Sequence, residues 1–267
     1  MPRPIIAVAG LSAILSLSLL APRQDSTPPA LPATAAARVA LLQSEPGRAG
    51  DLVYDGRVSA LDTTRHAVLF RYQRRVAADG AWLRSNHITR DPAGAVVVIQ
   101  SARHDAHYAL ESAELIHAQT GAVSQVQVQG DELWFSSTRG GKTRRSHERV
   151  SDPVIAGPST FGYILAHWDE LASGRRLPVR FVVLERSESI GFVLERAGDD
   201  AGITRIRMTP SHPLVRLVVA PTTFEFEART RHITAYSGRV PPLQRVRGKL
   251  SELDARVEYT FAAADFR

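Results

Sequence analysis

The sequence predicts a mainly β protein: a large antiparallel, incompletely closed β-barrel, built as a meander, with one central helix plugging its concave face. Three observations lead to this fold class. Short segments of alternating apolar and polar residues follow one another from residue 51 onwards, as strands with one buried face require. Turn residues separate these segments. Only residues 159–173 space their apolar side chains as a helix does.

The first 21 residues are typical of an export signal. Arg3 precedes an uncharged run of apolar and small residues at 5–21, which is the pattern of a secretory signal peptide. Pro22 makes processing after Ala21 unfavourable, and the run reaches the lower limit of about 17 residues for a membrane span. We therefore predict a signal peptide or N-terminal anchor. The protein is expected to be exported, periplasmic or extracellular, or anchored in the inner membrane if the segment is retained.

Residues 22–50 predict a linker, and residues 51–267 predict a single antiparallel β domain. The linker is rich in Pro and Ala, which favours a flexible spacer, with a short helix within 33–44. The chain has no cysteine, so disulfides cannot stabilise it and the lipid-carrying cysteine of a bacterial lipoprotein is missing. Contact with lipid is therefore expected from a soluble or helix-tethered protein.

Tight turns divide the β domain into strands. The reversal residues are D-P-A-G, Q-T-G, Q-G-D and R-G-G-K, at 91–94, 119–121, 129–131 and 139–142. The strands predicted before the helix are 52–60, 66–76, 82–90, 95–103, 107–116, 122–129, 132–138 and 143–150. Those predicted after it are 177–187, 190–198, 202–209, 214–220, 222–228, 231–237 and 255–263.

Two segments fix which face of the sheet is buried. In V-S-Q-V-Q-V-Q, at 123–129, Val126 and Val128 face opposite to the glutamines that flank them. In T-F-E-F-E, at 223–227, Phe224 and Phe226 face opposite to the glutamates. A slip of one residue would put carboxylates in place of phenylalanines, so the register is strongly specified.

The central helix is expected to bury one apolar stripe. Pro158 with Ser159 or Thr160 suits its first positions, and Gly174 suits its left-handed exit. At 100° per residue the stripe is roughly 120° wide. Its members are Phe161, Ile164, Leu165, Trp168, Leu171 and Ala172.

A sheet curled around one helix needs material to fill its concave side. Aromatic residues recur on strand faces that could line a cavity, and the alternative is a solid core made by the same side chains. The residues predicted to line the cavity are Phe161, Ile164, Leu165, Trp168, Leu171, Phe70, Tyr72, Phe181, Phe192, Phe224 and Phe226, with Trp134 or Phe135 as a further choice.

The segment H-W-D-E does not predict a catalytic site. On a helix His167 and Asp169 lie roughly 160° apart, so they cannot converge on one atom. His167 and Glu170 could touch, but such a surface pair contributes only about 0.2–0.5 kcal/mol. Burial of each large apolar side chain nearby contributes about 1.5–3 kcal/mol. We therefore interpret the segment as a packing element.

The rest of the sequence carries no recognisable catalytic, metal-binding or cofactor-binding motif. Nine histidines are present, but their spacing brings no three together as ligands. There is no G-x-S-x-G and no phosphate-binding glycine loop. We predict no catalytic residue, no metal and no cofactor, which favours a non-enzymatic protein.

The positive charge is almost entirely arginine. The net charge is +6, and Lys142 and Lys249 are the only lysines. The segment 139–149 holds five positive residues and one glutamate. A solvated hairpin is one interpretation, and contact with an anionic membrane surface or an acidic partner is the other. The candidate contacts are Arg139, Lys142, Arg144 and Arg145. No nucleic-acid recognition motif is present.

Two segments, H-W-D-E-L-A-S-G-R-R-L-P-V-R-F-V-V-L-E-R-S-E-S-I-G-F-V-L-E-R and P-L-V-R-L-V-V-A-P-T-T-F-E-F-E-A-R-T-R-H-I-T-A-Y-S-G, resemble a group of uncharacterised exported bacterial proteins. The resemblance covers roughly residues 51–240. At the level of architecture the group is similar to the lipoprotein-carrier (LolA/LolB-like) fold, an unclosed antiparallel barrel with helices plugging its hollow. That resemblance implies a cavity for acyl chains, and it assigns no functional residue to this chain.

The sequence thus predicts a periplasmic, non-enzymatic protein that binds a lipid or lipoprotein acyl chain in a hydrophobic cavity beneath the central helix. The first alternative is an envelope interaction or scaffold module with a filled core and an arginine-rich partner face. A weaker alternative is a hydrolase whose site is assembled from scattered residues.

Overall fold

A computed structural model describes residues 34–44, 49–61 and 67–262. The predicted signal peptide or anchor lies outside the described residues, as does the first part of the predicted linker. The strands are β1 Asp51–Ala60, β2 Phe70–Asp79, β3 Trp82–Arg90, β4 Val96–His104, β5 Leu110–His117, β6 Ala122–Gln129, β7 Glu132–Arg139, β8 Lys142–Arg149, β9 Val154–Ile155, β10 Leu177–Val183, β11 Glu188–Asp200, β12 Ile203–Pro210, β13 Thr222–Glu227, β14 Ile233–Val246 and β15 Lys249–Phe261. The helices are α1 Ala35–Ser44, α2 Gly157–Ala166, α3 Trp168–Ala172 and α4 Pro213–Arg216.

The described strands form one sheet in the order β8-β7-β6-β5-β4-β3-β2-β1-β15-β14-β13-β12-β11-β10-β9. Adjacent strands are antiparallel, except that β9 runs parallel to β10. The sheet is not closed by backbone hydrogen bonds between β8 and β9. The predicted fold class, a mainly β meander that curls without closing, is confirmed.

Side chains join the two ends of the sheet where the backbone does not. Ser146 Oγ on β8 donates a hydrogen bond of 3.1 Å to the carbonyl of Ser187 in the β10–β11 turn. Nearby, the Arg180 guanidinium on β10 lies 4.0 Å from the Glu148 carboxylate on β8. The gap in the barrel is therefore narrow at this level.

The predicted central helix is present as two helices rather than one. α2 and α3 are separated at His167, whose backbone (φ −107°, ψ 22°) leaves helical geometry. α2 begins two residues earlier than predicted, with Pro158 in its first turn and Ser159 Oγ accepting a 3.0 Å hydrogen bond from the Ala156 amide. Gly174 ends α3 with φ +86°, as predicted.

The interruption at His167 changes which side chains of the helical segment are buried. Phe161, Ile164, Trp168 and Leu171 are buried as predicted. Leu165 is 36% exposed, and Ala172 is also exposed. The apolar stripe was predicted for one continuous helix, and the break at His167 changes the direction in which the side chains point. The prediction that Leu165 and Ala172 are buried is therefore wrong.

The predicted strand at 214–220 is also wrong. Residues 213–216 form the short helix α4, in which Pro213 occupies the first turn. The Leu214 amide donates a 3.3 Å hydrogen bond to His212 Nδ1, which caps the helix. Proline suits the first turn of a helix, because its missing amide hydrogen is not needed there.

The outer face of the sheet is covered in one place by α1, which confirms the short helix predicted within the linker. Ala35 and Val39 of α1 pack with residues that point away from the barrel interior. These residues are Ile88, Val96, Ile99, Ile116 and Val123. Strands β3 and β4 are therefore buried on both faces over several residues.

The predicted strand register is confirmed at both diagnostic segments. Val126 is buried while Gln127 is exposed. Phe224 and Phe226 are buried, and Glu225 between them faces outward, where it accepts a 2.9 Å hydrogen bond from Arg256 on β15. None of the helices among the described residues has the length and apolar content needed to span a membrane.

Candidate ligand cavity

The concave side of the sheet encloses a cavity of about 490 Å³. This is within the range of about 300–1,000 Å³ found for small-molecule sites. Its floor is the first part of α2, at Gly157, Thr160 and Phe161, and its walls come from both halves of the sheet. The apolar and aromatic side chains around this floor and along the walls include Val58, Tyr72, Leu115, Phe181, Val182, Val183, Ile190, Phe192, Met208, Phe224, Tyr236, Val240, Val257 and Tyr259.

Five of the predicted cavity residues line this space: Phe161, Tyr72, Phe181, Phe192 and Phe224. Phe135, one of the two further choices, is buried outside the cavity lining, and Trp134 is 44% exposed. The aromatic residues of alternating strands were therefore a useful guide to the interior. They did not show which of these residues line the cavity and which pack in the core.

The other predicted residues do not line the cavity. Ile164, Trp168, Leu171 and Phe226 pack into a solid cluster. Phe70 packs in a second cluster with Val58. Leu165 is exposed. The buried members therefore belong to the apolar clusters of the core and not to the cavity wall.

Aromatic rings hold the floor in a fixed arrangement. The Phe161 ring meets Phe224 edge to face at a centroid distance of 5.9 Å and meets Tyr259 at 5.5 Å. Tyr259 meets Tyr72 at 5.4 Å. Edge-to-face pairs of this kind contribute about 0.5–1.5 kcal/mol beyond their burial, so the apolar floor is preorganised.

A buried polar network lies next to the floor. Arg74, 4% exposed, donates hydrogen bonds to His87 Nε2 (3.0 Å), to Ser85 Oγ (3.2 Å) and to the Pro158 carbonyl of α2. Ser85 Oγ is also 2.9 Å from His104 Nε2. Within the part of the chain that the structure describes, Arg74 forms no ion pair with a carboxylate.

The charge states of this network follow from its burial. Burial, and then the positive charge of Arg74, holds the pKa of His87 well below its usual value. Burial also lowers the pKa of His104. Both rings are therefore neutral at neutral pH. Because a guanidinium can only donate, His87 Nε2 must be an acceptor, and the ring proton is on Nδ1.

Arg74 and His87 are site residues that the sequence did not predict. The sequence does contain a pattern that places Arg74 in the interior: Tyr72 is predicted to face the interior, and Arg74 follows two residues later on the same strand. Period-two alternation puts both side chains on one face. Because arginine usually lies on the surface, the alternation pattern was not used to predict that Arg74 is buried.

The upper part of the cavity is lined by charged residues that are exposed. These rim residues are Arg139, Glu185, Arg186, Arg239 and Glu252. Arg239 pairs with Asp254 at 2.7 Å and also with Glu252. Desolvation by the surrounding atoms raises the pKa of Glu185, although a hydrogen bond from its own backbone amide, and then the charge of Arg186, oppose this shift. The cavity is therefore lined mainly by apolar side chains, with polar residues such as Thr89, Gln100 and Ser124 among them, and has a charged rim of mixed sign.

A bulge in β14 crosses the rim to the opposite half of the sheet. The register of β14 with β15 shifts between Val240 and Gln244. In this bulge the Pro241 carbonyl lies 3.2 Å from His117 Nε2 of β5, whose pKa is lowered by burial. The Leu243 backbone is joined to the Gln119 side chain by two hydrogen bonds. The bulge of β14 thus connects the two halves of the sheet across the rim of the cavity.

The predicted anionic-contact residues lie together on one exposed hairpin. Arg139, Lys142, Arg144 and Arg145 belong to β7 and β8, and all are exposed. Beside them the exposed Trp134 ring stacks on His147 at 4.9 Å. No salt bridge connects these four cationic residues to a carboxylate within the described ranges. β8 is also an edge strand, paired with β7 alone.

The segment H-W-D-E has the geometry of a surface cluster. His167 Nδ1 is 2.7 Å from a Glu170 oxygen, and Arg175 also pairs with that carboxylate. The hydrogen bond from His167 is the main reason that the pKa of Glu170 is lowered. Asp169 turns the other way, 3.4 Å from Arg231. In the ranges that the structure describes, no three His, Asp or Glu side chains are grouped to hold a metal ion.

Comparisons with known proteins add little. No protein family matches the sequence, and no curated protein matches it. Among solved structures, a porin-like protein from Bacteroides uniformis shares 9% identity, covering 78% of this chain and 96% of that chain, with a TM-score of 0.20. With a TM-score this low, the porin-like protein indicates neither the fold nor the function of this chain.

Proposed function

We propose that the protein binds the acyl chain of a lipid or lipoprotein in the cavity that the first turn of α2 borders, as a non-enzymatic protein of the bacterial envelope. The observation that carries the proposal is the cavity itself. A space of about 490 Å³ with predominantly apolar walls lies between the apolar clusters of the described core. An apolar cavity of this size favours an apolar ligand, because each buried methylene contributes about 0.8 kcal/mol.

The position of the charged residues supports an amphiphilic ligand over a wholly apolar one. Charged side chains form the rim, while the floor is built from edge-to-face aromatic rings. A chain can therefore be buried below the rim without desolvating the ion pairs of Arg239. The resemblance to lipoprotein carriers and the export signal agree with this proposal, and both remain predictions.

Native mass spectrometry of the purified protein tests the proposal. We expect a fraction of molecules to carry a non-covalent adduct of the mass of a lipid or fatty acid. Val183→Trp, which fills the cavity wall, should remove the adduct, whereas Val246→Trp should keep it, because Val246 is exposed and outside the cavity. Equal adducts in both variants, or a bare mass in the native protein, would contradict the proposal.

A second function, contact with an anionic partner, is favoured by the β7–β8 hairpin. Four exposed cationic side chains without carboxylate partners in the described chain give this hairpin a positive surface, and three of them, Lys142, Arg144 and Arg145, lie on the edge strand β8. Such a surface attracts anionic lipid headgroups in a salt-dependent way. Because Arg139 belongs both to this hairpin and to the cavity rim, the two functions are compatible.

A further inference from the structure

Two hydrogen-bond donors at the floor of the cavity have no partner among the described residues. The Tyr72 hydroxyl is buried and unpaired, and the Tyr72 side chain, 8% exposed, lines the cavity. His87 lines the cavity as well. Its Nδ1 carries the ring proton, because Nε2 accepts from Arg74, and this N–H makes no hydrogen bond within the described chain.

The two donors belong to one cluster. The Tyr72 and His87 rings are adjacent, with centroids 4.8 Å apart. Burial raises the pKa of Tyr72 well above its ordinary value, so its hydroxyl keeps its proton. A buried hydroxyl that donates to nothing costs about 1–3 kcal/mol, so the fold tolerates a group that a ligand could satisfy.

Behind these donors lies a buried positive charge. Arg74 contacts a neutral histidine, a serine hydroxyl, a backbone carbonyl and the face of Phe161, with its Cζ atom 5.6 Å from the ring centroid. None of these groups is an anion, and no carboxylate of the described chain pairs with Arg74. A buried charge is stabilised most by a nearby opposite charge. Arg74 itself does not line the cavity, but its hydrogen-bond partner His87 does, so an anion in the cavity would interact with Arg74 through His87.

We propose that the floor of the cavity is a head-group site for a free carboxylate, which accepts hydrogen bonds from the Tyr72 hydroxyl and His87 Nδ1 and supplies the counter-charge to Arg74. The ligand class is then a single-chain fatty acid that enters head first, with its chain extending past Leu115, Phe192 and Met208 towards the rim. Through the Arg74–His87 hydrogen bond, the buried cation polarises the N–H that meets the carboxylate.

This inference rests on the proposed function, and it selects among acyl-chain ligands. An acyl chain that is attached to a lipoprotein has no free carboxylate, so its head could not occupy the floor. The arrangement also disfavours a cationic amphiphile, because its head would lie beside Arg74 with two donors facing it.

Three probes with the same chain test the inference: laurate, 1-dodecanol and dodecyltrimethylammonium, measured by equilibrium dialysis at pH 8. We expect laurate to bind at least roughly tenfold more tightly than dodecanol, since hydrogen bonds to a charged group contribute about 1.5–3 kcal/mol. The cationic probe should bind most weakly. Equal affinities for all three probes would overturn the carboxylate site and leave the acyl-chain proposal standing. No binding of any probe would overturn both.

Two tyrosine variants localise the effect. Tyr72→Phe removes only the unpaired hydroxyl, so it should reduce laurate affinity roughly tenfold while leaving dodecanol affinity and the unfolding midpoint nearly unchanged. Tyr236→Phe is the matched control, because Tyr236 also lines the cavity but already donates its hydroxyl to the Arg239 carbonyl at 2.6 Å. A loss of laurate affinity that is equal in both variants would contradict the assignment to Tyr72.

Discussion

The Gln119 side-chain amide pairs with the backbone of Leu243, which is 124 positions further along the chain. Its Nε2 donates to the Leu243 carbonyl at 2.8 Å, and the Leu243 amide donates to its Oε1 at 2.9 Å. The pair imitates a short piece of β-ladder between the β5–β6 turn and the bulge of β14. It joins the two halves of an open sheet across the cavity rim.

Gln119→Ala should therefore destabilise the protein although the residue lies in a turn. Both hydrogen bonds are part-buried, and the loss of the two is expected to lower the free energy of unfolding by about 1–3 kcal/mol. Urea denaturation measures this change. Gln129→Ala is the control: Gln129 is exposed at the end of β6, and its substitution should change stability by less than about 0.5 kcal/mol. Equal effects of the two substitutions would contradict a bridging role for Gln119.

Gly162→Ala should be destabilising in spite of the higher helix propensity of alanine. A methyl group at Gly162 would overlap the ring of Tyr108, which stacks on His104 at 4.5 Å. Overpacking of this kind costs about 1–3 kcal/mol, whereas the gain in propensity is at most about 1 kcal/mol.

Gly157→Ala is the matched control for this helix. A methyl group there would approach only the Gln100 side chain, at 3.3 Å. Thermal unfolding of both variants should show a clear fall in Tm for Gly162→Ala and little change for Gly157→Ala. A higher Tm for Gly162→Ala would show that α2 does not pack against Tyr108 as described.

Trp168 and Leu165 test the interruption of the central helix. Trp168→Ala should cost about 3–5 kcal/mol, because its buried ring meets Phe226 edge to face at 5.4 Å. Leu165→Ala should cost well under half of that amount, because Leu165 is partly exposed. On a single continuous helix both residues would lie on the buried stripe, so similar losses in chemical denaturation would contradict the break at His167.

Stability should fall as the pH drops below the usual histidine pKa of about 6.5. Burial lowers the folded-state pKa values of His87, His104 and His117. Below about pH 6.5 the unfolded chain binds protons that the folded chain does not, so the free energy of unfolding decreases until the folded-state pKa values are reached.

His87→Gln isolates one of these groups and keeps an acceptor for Arg74. Removing one such histidine should make the plot of unfolding free energy against pH shallower between pH 7 and 5, by up to about 1.4 kcal/mol per pH unit. An unchanged slope for His87→Gln would mean that this ring becomes protonated in the folded protein.

Charge reversal on the β7–β8 hairpin tests the anionic-partner function. Arg144→Glu with Arg145→Glu should abolish binding to vesicles containing phosphatidylglycerol, and raising the salt concentration should weaken binding of the native protein. Arg245→Glu with Arg247→Glu changes the net charge equally in the exposed β14–β15 turn and should retain most of the binding. Similar losses in the two double variants would assign the attraction to net charge rather than to the hairpin.

The sequence predicted the parts of the fold that depend on local pattern. The alternation of apolar and polar residues around Val126 and Phe224 predicted the buried face of the sheet. The turn residues predicted the hairpins up to β8. Strand ends after the helix were predicted less well, because β14 continues beyond 231–237 through two prolines by means of a bulge. Bulges depend on pairing with a distant strand, so the local pattern does not reveal them.

The candidate site was predictable only in part, for a related reason. An aromatic residue on the inner face was identifiable, but whether it lines a cavity or fills the core depends on how closely a helix approaches the sheet. Phe192 and Phe226 carry the same sequence signal, yet only Phe192 borders open space. The Arg74–His87 pair was missed because burial of an arginine is unfavourable unless the tertiary structure supplies acceptors.

The most direct test of the central claim is a crystal structure of the protein with a fatty acid that carries a terminal bromine, located by anomalous scattering. We expect a bromine peak inside the cavity, near the rim, with the chain running down towards Tyr72. Aromatic rings closed together over Phe161, with no bromine peak between β5 and β12 at saturating ligand, would contradict the claim that this barrel holds an acyl chain.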